Sequence, residues 1–308
     1  MTRSLIQNFD QLLAHVATLP KKRVVVVNPS NEETFSAVVD ARNKLNVEFV
    51  LVGNNDVVRC GLNDVGGNPD KFEIQDAKDV HTALDLSLRL AKDGKGDILM
   101  KGSVDTSTMM KAVLSEDSGL RTGHLLSDIF IMEYPRRIDN KFVMITDGGM
   151  TLAPDLSNKV ELVKNAVAVA HALGNPEPKV AILSATEFVL PNLPSTLDAA
   201  ALSKMNERGQ IKGCLVDGPL ALDNALSPEA AQEKGIRSSV AGKAEILVAA
   251  NIESANSLAK STTYFANLRL AHVIVGARIP ILIPSRADKS DAKLLSVAMG
   301  IVMSSWTM

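Results

Sequence analysis

Large rings are scarce in this 308-residue chain: aromatic residues make up 4%, with one Trp and two Tyr. Hydrophobic residues still reach 46%. The core must therefore be built from Val, Leu, Ile and Ala, the mixture typical of parallel sheets covered by helices. Neither sign of charge is in excess, and the formal net charge of −2 gives no basic surface for nucleic acid. The two cysteines, Cys60 and Cys214, lie far apart with no metal-like spacing. They fit two reduced thiols in a cytoplasmic protein. No apolar run approaches the roughly 18 residues needed to span a bilayer, so no membrane partner is expected. Residues 1–9 lack the apolar core of a signal peptide and alternate polar and apolar residues at helical spacing instead.

Several catalytic signatures are also missing. There is no HExxH, no CxxC, no GxSxG elbow and no GxxxxGK[ST] phosphate loop. The five histidines, His124 among them, form no paired arrangement, and no obligatory metal is expected. Neither a fixed-period repeat nor a low-complexity tract interrupts the chain.

What the chain does have is alternation, over a length that suits two domains or one large α/β unit. Strands are expected at 24–28, 48–52, 72–74 and 97–100, with helices at 32–45, 79–91 and 105–114 and a turn-rich patch at 61–68. Two longer strands, 126–134 and 142–146, flank a hairpin-like connection. The rhythm then resumes with helices at 158–172, 195–208, 228–234 and 254–265. Strands are expected between them at 180–183, 213–216 and 245–248. Two apolar runs, 272–275 and 279–283, precede a last helix at 288–303. This order predicts mostly parallel sheets with helices on both faces.

Four segments could carry chemistry. In the segment from Ile281 to Asp288, a buried-strand pattern stops at Pro284 and presents Ser285, Arg286 and Asp288 just ahead of a helix. Unpaired N–H groups and the helix dipole suit an anion there, and the Arg286 fork matches phosphoryl oxygens. Lys101, Gly102, Ser103, Asp105 and Thr106 follow another strand, where small hydroxyl residues and backbone N–H groups can hold phosphate. The same residues also make an ordinary capped turn. Asp147, between a strand and two glycines, either faces a cleft or bonds its own backbone. Asp217 and Asp223 punctuate Val216-Asp217-Gly218-Pro219-Leu220-Ala221-Leu222-Asp223-Asn224 in a way that leaves their role open. Arg121, in a glycine-bracketed loop, and Arg136 and Arg137, in the expected domain connection, would join a cleft that binds a polyanion.

Taken together, the strings MKGSVDTSTMMKAVL, GLRTGHLLSDIFIMEYP, TDGGMTLAPDL, VDGPLALDNALSPEAAQEKGI, VAGKAEILV and PSRADKSDAKLLSVA resemble the phosphate acetyl/butyryl transferase family. The wording of VDGPLALDNA is closest to the butyryl branch. The resemblance covers about residues 95–304 and implies two α/β/α domains of isocitrate/isopropylmalate dehydrogenase-like architecture, with the active site in the cleft between them. The division it suggests is 1–137 with 272–308, and 138–271.

The implied reaction is reversible acyl transfer, acyl-CoA + phosphate ⇌ acyl phosphate + CoA, with butyryl the favoured acyl group. Coenzyme A and phosphate are substrates, no cofactor is held permanently, and a homodimer or larger homo-oligomer is implied. In the family pattern the Ser-Arg pair falls on Ser285 and Arg286. The catalytic Asp falls on Ala292, one residue from Asp291, so Asp288 and Asp291 both stand as candidate bases for the CoA thiol. The expected binding positions are Lys101, Gly102, Ser103, Thr106, Arg121, Arg136, Asp147, Asp217 and Asn256. Ala255 and Ala259 replace a glycine and a bulkier residue common in relatives, and are expected to reshape the acyl pocket. Two other readings are a metal-dependent hydroxy-acid dehydrogenase, which would need an acidic ligand cluster, and a CoA or acyl-phosphate sensor without turnover.

Overall fold

The computed structural model describes residues 4–134, 141–285, 288 and 290–306. Arg136, Arg137 and Arg286 lie outside the described residues. The strands are β1 (Lys22–Val27), β2 (Val47–Gly53), β3 (Glu73–Asp76), β4 (Ile98–Lys101), β5 (Ser127–Glu133) and β6 (Phe142–Thr146), then β7 (Lys179–Leu183), β8 (Leu215–Leu220), β9 (Ile246–Val248), β10 (Leu270–Val275) and β11 (Ile281–Leu282). Helices separate most of them, as the alternation predicts.

The chain forms two compact units. One holds Phe9–His124 and the residues from Ala271 onward; the other holds Leu125–Leu270 together with residues 4–8. The sequence division at 137/138 differs in where it leaves β5: that strand groups with the second unit, where it pairs antiparallel with β6. Residues 4–8 also differ from the helical expectation for the N-terminus. They are not helical, and the Ile6 N–H donates to the Leu173 carbonyl at 2.9 Å. The first helix begins only at Phe9.

In the first unit the strand order is β3-β2-β1-β4-β11-β10. Every neighbouring pair is parallel except β10 with β11. The chain steps outward from β1 to β2 and β3, then returns to the other side of β1 with β4. The carboxyl ends of β1 and β4 therefore flank a topological switch point, where open α/β sheets bind ligands. Val24–Val27 of β1 are fully buried, which accounts for their unbroken aliphatic run. The last helix, Ser290–Ser304, is buried from Lys293 through Met303 and so is apolar on nearly every face.

The turn-rich patch expected at 61–68 is partly a helix, Asn55–Asp64. Its start is set by Asn54, whose side chain accepts from the Asp56 and Val57 N–H groups, and its inner face by Val58 and Leu62, four residues apart and fully buried. Gly61 lets this helix close onto the helix Glu32–Lys44: a Cβ there would fall 2.1 Å from the Phe35 ring.

The second unit has the order β5-β6-β9-β7-β8, antiparallel only between β5 and β6. Its helices include Leu156–Ala172, Pro194–Glu207 and Ile252–Tyr264. Ala255 and Ala259 are fully buried in its core beside Val143, Ile145 and Leu247. They pack the helix against the sheet, which corrects the expectation that they shape an acyl pocket.

Gly61→Ala sets two effects against each other. Helix propensity favours Ala by about 1 kcal/mol, whereas overpacking a buried ring costs about 1–3 kcal/mol. The clash is with the ring of Phe35, itself 2% exposed, so the variant is expected to melt several degrees below wild type. An unchanged or higher midpoint in a thermal scan would contradict the packing of this helix on Phe35.

Candidate active site

The parallel ladder of the first unit brings two of the sequence motifs to one edge. β4 lies between β1 and β11, with Val27 opposite Lys101 on one side and Leu282 opposite Met100 on the other. Residues 102–106 and 283–285 therefore leave the sheet side by side, at the carboxyl end of adjacent parallel strands. The ladder continues past β4: Gly102 N–H donates to the Val27 carbonyl at 3.0 Å and Ser103 N–H to the Asn28 carbonyl at 2.8 Å. Only glycine fits at 102, because a Cβ would lie 2.5 Å from the Val27 carbonyl oxygen. Lys101 turns its ammonium onto the carbonyls of Gly102 and Val104 at 3.3 and 3.2 Å, so its charge braces the loop. Thr106 is exposed at the start of the helix Thr106–Val113.

The loop after β11 is tied by Asp288. Its carboxylate accepts the Ser285 N–H at 2.8 Å, and its own N–H donates to the Ser285 carbonyl at 3.1 Å. His272, on β10 and only 8% exposed, places Nε2 3.6 Å from the same carboxylate oxygen. Nothing in the local sequence marks this contact, since it arises from the strand register. Asp291 is exposed in the first turn of the last helix.

Arg121 is not brought to this edge. Its neighbours bind the turn between β10 and β11, with Thr122 Oγ1 donating to the Gly276 carbonyl and Arg278 N–H to the Leu120 carbonyl. That turn precedes β11, at the amino edge of the parallel strands. Arg121 itself is 3.9 Å from Glu116 in an exposed pair, an interaction of little energetic weight. Two residues missed by the sequence reading do belong to the carboxyl edge. Asn28, in the left-handed region at φ 49°, donates its amide to the Ser103 carbonyl at 3.2 Å, and Asn31 donates to the Ser103 hydroxyl at 3.1 Å. The signal was present as an Asn-Pro-Ser-Asn turn between strand and helix.

In the second unit, Asp147 and Asn256 meet around the loop after β6. Asp147, 3% exposed, accepts from four backbone N–H groups, those of Asp128, Gly149, Met150 and Thr151. The Asn256 amide donates to the Gly148 carbonyl at 2.9 Å. Of the two readings of Asp147, its contacts are those of a loop fastener. Asp217 sits within β8 and accepts the adjacent Gly218 N–H at 2.8 Å. It is not brought to Asp147: β9 and β7 lie between β6 and β8. Asp223 and Glu187 share Lys234 at 3.1 and 3.3 Å. Cys60 is exposed and Cys214 buried, the latter with its thiol pushed by burial to about 11. Among the described residues no group of three or more His, Cys, Asp or Glu could share a metal ion.

Burial holds the Asp147 carboxyl above its ordinary value of 3.8, and the nearby charge of Asp128 adds to the effect. Between that value and the raised one, the native state binds more protons than the unfolded chain. The Asp147 contribution is thus complete below the ordinary value and lost as pH rises through the raised one. Asp147→Asn retains the Oδ1 acceptor but not the charge. Wild-type stability is expected to fall relative to the variant as pH climbs from about 4. Denaturant midpoints of both proteins across that range would refute this by running parallel.

Over 299 residues the chain is 39% identical to phosphate butyryltransferase of Clostridium acetobutylicum, covering 97% of this chain and 99% of the relative. It is also 39% identical to phosphate acetyltransferase of Rhizobium meliloti, over 94% and 92% of the two chains. The crystal structure of a branched-chain phosphotransacylase from Enterococcus faecalis superposes with a TM-score of 0.81 at 28% identity, covering 92% of this chain and 99% of that one. The family model described as "Phosphate acetyl/butaryl transferase" matches residues 72–301. With its two mostly parallel α/β units and its paired loops at the end of β4 and β11, the chain belongs to the phosphate acetyl/butyryl transferase family.

Proposed function

We propose that this chain catalyses reversible transfer of a short-chain acyl group between coenzyme A and inorganic phosphate. The observation that carries this reading is the side-by-side exit of residues 102–106 and 283–285 at one carboxyl edge. It brings hydroxyl and N–H groups together where a phosphoryl oxygen would lie. Butyryl is the proposed acyl group. Acetyl is the second reading, because relatives of both names share the same 39% identity.

In the direction of CoA acylation, a carboxylate takes the proton of the CoA thiol. The sulfur attacks the acyl carbon, forming the C–S bond, and the carbonyl becomes an oxyanion. Collapse of that intermediate breaks the C–O bond to phosphate, which leaves with the bond's electron pair. Ser285 donates to the oxyanion or the departing phosphate, and Arg286 neutralises the phosphate charge. Asp291, exposed in the first turn of the last helix, is proposed as the base. The Asp288 carboxylate accepts the Ser285 N–H and faces His272. Asp288 is assigned to hold Ser285 in place. The protein is proposed to act in the cytoplasm as a homodimer or larger assembly, without a resident cofactor or metal. No helix among the described residues is long and apolar enough to cross a membrane.

Phosphate-dependent release of free thiol from acyl-CoA, with chelator present, is expected, fastest for butyryl-CoA over acetyl- and isobutyryl-CoA. Acyl-CoA binding without release would replace the transferase reading with the sensor. Asp291→Asn is expected to lower kcat about 100-fold or more, the usual weight of a general base. A near-normal kcat in that variant would return the role to Asp288.

A further inference from the structure

Ser103 has a hydroxyl whose direction is set by a chain of groups that begins in the first helix of the β1–β2 crossover. Asn31 is the N-cap of Glu32–Lys44, and its Oδ1 accepts the Thr34 N–H at 2.9 Å. A backbone N–H can only donate, so this bond fixes which side of the Asn31 amide carries oxygen. The amide nitrogen then faces the Ser103 Oγ at 3.1 Å. An NH2 group can only donate as well, so Oγ accepts. The Ser103 hydrogen is left to donate elsewhere, and it has no acceptor among the described residues. The Ser103 backbone is held as well, since its N–H donates to the Asn28 carbonyl and its carbonyl accepts from the Asn28 side-chain amide.

We propose that Asn31 is a positioning residue that directs the Ser103 hydroxyl hydrogen to an oxygen of inorganic phosphate or the acyl phosphate. This rests on the reading of the β4 edge as the phosphate site and adds the polarity of one of its contacts. A lone serine hydroxyl can donate or accept. With Asn31 occupying one of its two lone pairs, its hydrogen is turned outward to an acceptor, which a phosphoryl oxygen supplies and an ammonium does not.

Asn31→Asp tests the polarity with little change of shape. Asp is as good an N-cap as Asn, so the Thr34 bond and the melting temperature should be retained. Its second oxygen now accepts from Ser103 and draws the hydroxyl hydrogen away from the substrate. The KM for inorganic phosphate is expected to rise about tenfold, with the KM for acyl-CoA held within about twofold. Ser103→Ala should raise the phosphate KM similarly. In the Ser103→Ala background, Asn31→Asp should add less than about twofold. A full Asn31→Asp effect persisting in that background would mean simple repulsion by the new charge and would overturn the proposal. So would an unchanged phosphate KM in Asn31→Asp, or a rise confined to acyl-CoA, which would move the contact to the phosphates of CoA. If Ser103→Ala leaves the phosphate KM unchanged, the reading of this edge as the phosphate site fails first.

Discussion

The backbone ladder of β4 is the constraint on which the candidate site depends. β4 is paired on both sides, and on the β1 side its hydrogen bonds run on to Gly102 and Ser103. A loop normally gains its freedom where the ladder stops. Here that point is delayed until the residues with chemistry have already been placed. The β11 pairing, with Leu282 opposite Met100, sets where Ser285 emerges. Two motifs distant in sequence thus acquire their proximity from one strand. Gly102 is the condition for it, since any side chain there would push against the Val27 carbonyl and part the ladder.

In each unit, charged groups at strand ends serve the backbone before they serve any ligand. Asp147 accepts four N–H groups, Asp288 holds the Ser285 turn, and Lys101 covers two carbonyls. Loops at strand ends carry backbone groups without ladder partners, and burying them unpaired costs about 1–3 kcal/mol each. Ionised side chains are the strongest partners available for that task. A carboxylate engaged in this way is held in place and has fewer lone pairs for a substrate proton. Asp288, tied to the Ser285 N–H, is such a carboxylate.

The fold was largely legible because its signals are local. Aliphatic runs such as Val24–Val27 and cap-and-periodicity patterns such as Asn31 before Glu32–Lys44 need no distant partner to be read. The helix Asn55–Asp64 was obscured by Gly61 and the glycines after it, although Asn54, Val58 and Leu62 carry its cap and its face. The site was legible only in part, because its relations are long-range. His272 meets Asp288 through the register of β10 on β11, and Asn31 meets a serine 72 residues away. Arg121 shows the reverse case. Its glycine-flanked loop looks suited to phosphate, yet the β10–β11 turn holds it at the opposite edge of the sheet.

A phosphate site built from donors has a consequence for a reversible transfer. In one direction phosphate is the leaving group and gathers negative charge as its bond to carbon breaks; in the other it attacks, and its free oxygens must be held without being protonated. Hydroxyl and N–H groups with fixed donor polarity meet both needs, because they stabilise charge on the oxygens they touch and take no proton from them. The one proton that must move is that of the CoA thiol, and the proposed acceptor is Asp291, in the first turn of the helix after β11. By microscopic reversibility the same groups serve both directions, so the direction of net transfer follows from the concentrations of acyl-CoA, phosphate, acyl phosphate and CoA relative to equilibrium.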